Sequence, residues 1–371
     1  MGGGHDCCAF LAHCRLPGIR RGRAFLPGVA WPLMPANPAD LISWTSEWSG
    51  VRVTVVGLGE VGFSVVDTLA ELGAEVTAIY SGPVGDRATI AGVLGVSLYE
   101  ESTDSEMTSR VLSTPADLVV LAPEWDPELD LETEVWNAGV SVWSDVEFSV
   151  RVADKQGEPP PMVFLAGEQA PAIADTAQRI FLHAQVRAAR AGVDAPPVLD
   201  ALRHPDGTDA VLWTLSGRQL WRMGRELNTA RRPVLTVSID DAGELGSEFL
   251  EALYTQTVQA CVYRRGRERT EQAVENAFVV EGCRAIGVAI DTPGMSDLGR
   301  VEDIICDRAF LPDRKDRALE LCTVDELETA GFQTPEEVEV ALAAFAVVRA
   351  LDVAPEVIGG ALHAPGWPSQ K

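Results

Sequence analysis

Lysine is nearly missing from this chain. Of 30 basic residues in 371, only Lys155, Lys315 and Lys371 are lysine, and none lies between Lys155 and Lys315. A phosphoryl-transfer site that neutralises β- and γ-phosphate charge with a lysine has none to draw on across that stretch. Positive charge is short altogether: acids outnumber bases 55 to 30, for a formal net charge of -25. A surface that tracks nucleic acid or an anionic membrane needs the opposite balance, so both are excluded as partners. Uninterrupted apolar runs of membrane-spanning length are also missing, which excludes insertion as a transmembrane helix. The cysteines offer no C-x-x-C pair. Cys261, Cys283, Cys306 and Cys322 are widely spaced within an odd total of seven, the pattern of buried thiols in a reducing, cytoplasmic setting. The opening "HDCCAFLAHC" gathers His5, Cys7, Cys8, His13 and Cys14, yet its spacing fits no standard zinc pattern and no metal is assigned to it.

What is present is a chain long enough, at 46% hydrophobic residues, for two domains or three small ones. Met1 to Leu33 is basic and everything after Met34 strongly acidic. Residues 1–43 read as a disordered extension. Twin arginines precede an apolar stretch in "GIRRGRAFLPGVAWPLM", but Pro27 and Pro32 break it and no small-residue cleavage site follows. The predominance of arginine over lysine, with abundant Ala, Gly and Val, suggests a GC-rich bacterial genome.

From Val51 the pattern becomes regular. "VRVTVV" reads as a buried strand, "GLGEVG" as a tight turn, and "FSVVDTLAELG" as a helix with Val65, Val66, Leu69 and Leu72 at helical spacing and Gly73 as its cap. "AEVTAIY" supplies the next strand, so Gly57, Gly59 and Gly62 form a G-x-G-x-x-G between strand and helix. Glycines there allow the turn and let a phosphate approach the helix N-terminus. For NAD the second strand should end in Asp or Glu, and here it ends in Tyr80. The glycines alone also serve close helix packing, so ligand binding and packing stand as alternatives. "ADLVVLAPEW" and "VSVWSDVEF" add parallel-type strands over 44–153. The polar, Pro-rich "DKQGEPPP" at 154–161 is a linker, and a second α/β domain spans 162–364. Its strands are "MVFLA", "DAVLWTL", "PVLTVSI", "QACVYRR" and "RAIGVAI", followed by a hairpin in "LGRVEDIICDRAFLP" and a helix from Pro335 to Leu351. The stretch "FLAGEQAPAIADTAQRIFLHA" from Phe164 has the strand, glycine turn and helix of a phosphate loop without its lysine or a helix-opening Ser or Thr.

Several segments together, "SWTSEWSGVRVTVVGLGEVGFSVVDTLAELGAEVTAIY", "VSVWSDVEF", "VVEGCRAIGVAIDTPGMSDLGRVEDIICDRAFLP" and "ALELCTVDEL", resemble the UDP-N-acetylmuramoyl-alanine:D-glutamate ligases of peptidoglycan synthesis, the MurD family, in their actinobacterial form. The resemblance implies a Rossmann-like domain for the UDP part of the substrate, a central Mur-ligase-type α/β ATPase domain and a third domain, here expected to be absent. It also implies activation of a carboxylate as an acyl phosphate that D-glutamate attacks. The positions matching the family's phosphate loop are Ala166, Gly167, Glu168, Gln169, Ala170, Pro171, Ala172 and Ile173. Only Gly167 is kept, and Pro171 stands for the lysine. Thr214 holds the place of a magnesium-binding glutamate. Thr236 to Leu245 keeps Asp240 but has Leu245 for the metal-site histidine, no lysine lies within Gly246 to Tyr263, and Glu336 and Glu337 replace a His-Asn pair.

In the first domain Gly57, Leu58, Gly59 and Gly62 match. Val61 replaces a serine, Tyr80 an acid near the uracil, and Leu121 to Glu124 a T-S-P-G run. The resemblance thus leads to a two-domain, non-catalytic, binding or regulatory paralogue with a degenerate phosphate loop, no catalytic residues, and no ATP or magnesium bound. Weak binding of a uridine nucleotide is expected at Gly57, Leu58, Gly59, Glu60, Val61, Gly62 and Tyr80. The alternative is a ligase or nucleotide-sugar enzyme completed by a partner chain. A protein partner or self-association is expected where the third domain would close over the central one, on apolar surface from Pro171, Ala172, Ile173 and Leu245.

Overall fold

In the computed structural model the described residues are 37–125, 134–135, 137–226, 231–240, 246–364 and 367. The His5–Cys14 cluster and Leu245 lie outside them. The expected extension is drawn too long at its end. Pro38–Asp40 forms a 3-10 turn capped by the Asn37 side chain, Leu41 is buried, and its carbonyl accepts from Arg151 Nη1 at 3.0 Å.

Five strands make the first sheet: β1 (Arg52–Val56), β2 (Glu75–Tyr80), β3 (Ser97–Glu100), β4 (Leu118–Leu121) and β5 (Ser141–Ser144). They run parallel in the order β3-β2-β1-β4-β5. Helices α1 (Glu60–Glu71), α2 (Arg87–Val93), α3 (Asp104–Ser113) and α4 (Asp145–Arg151) belong to this part. The expected strand "VSVWSDVEF" is shorter than its pattern suggested: Ser144 caps α4 by accepting from the Glu147 amide, so the chain turns helical at Asp145.

The second sheet has nine strands: β6 (Met162–Ala166), β7 (Ala188–Gly192), β8 (Ala210–Leu215), β9 (Leu235–Ser238), β10 (Ala260–Arg264), β11 (Arg284–Val288), β12 (Asp297–Val301), β13 (Ile304–Asp307) and β14 (Leu319–Thr323). Their order is β14-β13-β12-β11-β10-β9-β6-β8-β7. β7 to β12 and β6 pair in parallel, and the hairpin β12/β13 and its neighbour β14 are antiparallel. Helices α5 (Ala170–His183), α6 (Val198–Leu202), α7 (Gly217–Glu226), α8 (Ser247–Tyr254), α9 (Glu268–Asn276), α10 (Val324–Thr329), α11 (Pro335–Ala350) and α12 (Pro355–Leu362) complete it. α11 opens on a capping box between Thr334 and Glu337 and is then buried almost all round, which is why its sequence is mainly Ala and Val rather than amphipathic.

Each sheet reverses its winding direction once, between β1 and β4 in the first and between β6 and β9 in the second. Ligand crevices in open α/β sheets form outside the carboxyl ends of the strands at such reversals. The two parts share a continuous core in which Val146, Phe148 and Val150 of the first pack with Phe164, Trp213, Leu220 and Met223 of the second. Polar ties cross the same seam: Ser64 Oγ donates to Asp200 at 2.7 Å, and Asp154, inside the expected linker, accepts from Ser43 Oγ, the Trp44 amide and Arg231 Nη2.

Candidate functional site

The turn after β1 needs glycine at its first position, where Gly57 has φ +101°, a backbone region closed to most side chains. It delivers the chain to α1, whose N-cap is Gly59 and therefore offers no side chain to the first-turn amides. Those amides would be orphaned. Glu124, on the turn that follows β4 across the reversal, satisfies them: its Oε1 accepts from Val61 N at 2.6 Å and from Gly62 N at 3.2 Å. A Cβ on Gly59 would come within 2.6 Å of the same oxygen. Gly57, Leu58, Gly59, Glu60, Val61 and Gly62 are thus brought together as expected, with an acid of the chain itself at the helix N-terminus. Tyr80 is not presented to this turn as an open platform. It is 8% exposed, with its ring packed in the core, and burial foremost raises its hydroxyl pKa, with Glu100 adding to the rise.

The turn bearing Glu124 is held from the second part of the molecule. Arg222 on α7 donates to the carbonyls of Leu121 at 3.2 Å, Ala122 at 3.0 Å and Trp125 at 3.1 Å. Beside it, Asp145 is fully buried, and burial pushes its carboxyl pKa up to about 7, against the opposing influence of Gln219 and Arg222. Gln219 Nε2 donates to Asp145 Oδ2 at 2.6 Å, while Oδ1 has no hydrogen-bond partner among the described residues. Sequence reading named Glu124 only as a departure from a family pattern and did not find Asp145, Gln219 or Arg222. A buried acid at a helix start leaves no distinctive spacing.

The turn after β6 repeats the first geometry. Gly167 has φ +103°, and a Cβ there would lie 2.7 Å from that of Asp240, which follows β9 across the second reversal. α5 then starts at Ala170 with Pro171 in its first turn and no side-chain cap. Beside this turn, between α5 and α11, opens a cavity of about 230 Å³ lined by Gln169, Ala172, Thr176, Phe332, Glu337 and Trp367 among others. The side chains at the family's metal and phosphate positions have other partners. Thr214 Oγ1, buried, lies 3.0 Å and 2.8 Å from the carbonyls of Ala191 and Val193 and spends its proton there. Glu337 accepts from the amides of Gln333 and Thr334 at 2.7 Å and 2.8 Å as the cap of α11, and these contacts hold its carboxyl below the usual range. Pro171 brings no N–H to the turn. These residues alone do not complete the donor set of a magnesium-triphosphate complex, and no reaction step follows from them. Ile173 corrects an expectation: it is 1% exposed, in the core between α5 and α11, and contributes no apolar surface for a partner. The apolar side chain of α5 faces inward at that register.

Two doubly wound units of this kind, each with a strand-glycine-helix turn at its reversal, define a Mur-ligase fold, and the solved structures agree. The murein peptide ligase mpl of Psychrobacter arcticus 273-4 superposes with a TM-score of 0.50 at 14% identity, covering 86% of this chain and 69% of that one. No protein-family model matches the chain. Among curated proteins, it is 38% identical over 344 residues to the UDP-N-acetylmuramoylalanine–D-glutamate ligase of Leifsonia xyli subsp. xyli, covering 88% of this chain and 66% of that protein. To the ligase of the same name from Streptomyces coelicolor it is 34% identical over 330 residues, covering 86% and 68%. The chain belongs to the UDP-N-acetylmuramoylalanine–D-glutamate ligase family, the MurD family, and spans about two thirds of the length of these relatives.

The relatives correct one expectation. Proteins that match this much of the chain are named as ligases, so the expectation that it takes neither ATP nor magnesium is withdrawn. The missing lysine removes one charge, whereas the Gly167 turn, the helix behind it and the adjacent cavity are all in place.

Proposed function

We propose that this protein serves peptidoglycan precursor metabolism as a cytoplasmic binding or regulatory paralogue of the D-glutamate ligases, without ligase turnover of its own. The observation that carries the reading is the phosphate-type turn at Gly167, where Pro171 lies in the first turn of α5 and no lysine lies between Lys155 and Lys315. Stabilising a transferring phosphoryl group depends on several placed charges acting together, so a site lacking the lysine, with Thr214 bound to carbonyls, loses far more than one contact. Its small-molecule partner is a uridine nucleotide at Gly57–Gly62, where the glycine turn meets a helix N-terminus. Among the described residues no helix is long and apolar enough to cross a membrane, which fits a role on soluble precursors.

A second reading, a D-glutamate ligase completed by a partner chain, is favoured by the names of the relatives. Genetic complementation tests the first. Expressed in a bacterium depleted of its own D-glutamate ligase, the chain should fail to restore growth, while the Streptomyces coelicolor relative restores it. Growth on this chain alone would overturn the proposal.

A further inference from the structure

The glycine turn of the first sheet has an occupant that no family pattern supplies. Of the groups at the α1 N-terminus, Val61 N and Gly62 N both donate to Glu124 Oε1, at 2.6 Å and 3.2 Å. These are the amides that an anion would meet at the end of a helix dipole. Glu124 is exposed on its outer side, so the carboxylate sits between the turn and solvent. Arg222 holds the backbone on both sides of it through Leu121, Ala122 and Trp125. Two buried polar atoms nearby have no hydrogen-bond partner among the described residues: Nε1 of Trp125, 5% exposed, and Oδ1 of Asp145, 1% exposed.

We propose that Glu124 is a built-in competitor, its carboxylate holding the position a diphosphate would take, so that a uridine nucleotide binds the Gly57–Gly62 turn only by displacing it. The inference rests on the reading of that turn as a nucleotide site and adds how the site is controlled. Two anions cannot share the same pair of amides. Binding by the unaltered chain is therefore weakened both by the lost hydrogen bonds and by repulsion from a carboxylate that stays nearby.

The test is calorimetry on the full chain with two probes, UDP and inorganic pyrophosphate, for the wild type, Glu124→Ala and Glu124→Gln. Circular dichroism should show all three folded, since Glu124 is exposed. The expected result is at least tenfold tighter UDP binding by Glu124→Ala, with Glu124→Gln, which keeps an acceptor oxygen but no charge, in between. Equal UDP affinity in wild type and Glu124→Ala overturns the competitor while leaving the nucleotide site standing. Pyrophosphate binding gained by Glu124→Ala without UDP binding upholds the competitor and overturns uridine as the ligand. No measurable binding of either probe by any of the three proteins overturns both.

Discussion

The two sheets end in the same device. In each, a strand runs into a glycine with φ near +100°, Gly57 or Gly167, and then into a helix, and in each an acid from the strand across the reversal, Glu124 or Asp240, packs against the turn. They differ in the helix behind. α1 keeps its first-turn amides and lends two of them to Glu124, whereas α5 carries Pro171 in its first turn. The first turn is blocked by one removable side chain. At the second, the first turn of the helix carries a proline. At each turn a side chain of the protein itself crowds a glycine, so glycine spacing alone does not say which group meets the amides.

The largest expected effect separates the cores behind the turns from the turns themselves. Ile173→Asp puts a carboxylate into the fully packed interface of α5 and α11 and should cost about 4 kcal/mol or more, read as loss of cooperative urea unfolding. Glu124→Ala, on the exposed side of the first turn, should leave the midpoint within ~1 kcal/mol of wild type.

Next comes Asp145. Its folded pKa, about 7, lies above the ordinary aspartate value, so the folded state binds the proton more tightly. Stability from this group is highest at low pH and falls as pH rises towards 7. Asp145→Asn should therefore stabilise the protein at pH 7.5 by on the order of 2 kcal/mol, with the difference from wild type shrinking by pH 5. A pH-independent difference in melting temperature would show that the carboxyl is not held neutral.

The smallest effect bears most directly on the comparison. Gly59 has φ −70°, ordinary for any residue, so Gly59→Ala should cost about 1 kcal/mol only through Glu124 and nothing once Glu124→Ala is present. Gly167→Ala should keep a penalty of about 1 kcal/mol even with Asp240→Gly, which removes the Cβ it would meet, because its φ of +103° remains. A double-mutant cycle at each turn reads the difference.

Much of the fold was legible. Runs such as "VRVTVV" and "MVFLA" are buried on both faces and read as strands, and "LGRVEDIICDRAFLP" pairs antiparallel as its hairpin pattern suggests. β7 was missed because "AARAG" has neither β-branched nor aromatic residues and is held by pairing to β8. β3 was missed because its exposed edge carries no apolar alternation. The site was half legible. Glycine spacing located both turns, but which acid fills each depends on strand order, which places Glu124 beside residues about sixty positions earlier. The inward face of Ile173 was equally a matter of helix register against α11.

The central proposal is that the protein has the family fold without ligase turnover. Its most direct test is incubation of the purified chain with UDP-N-acetylmuramoyl-alanine, D-glutamate, ATP and magnesium, with mass spectrometry of the nucleotide pool. The account predicts no D-glutamate-extended UDP-sugar above a heat-denatured control. Accumulation of that product would contradict it.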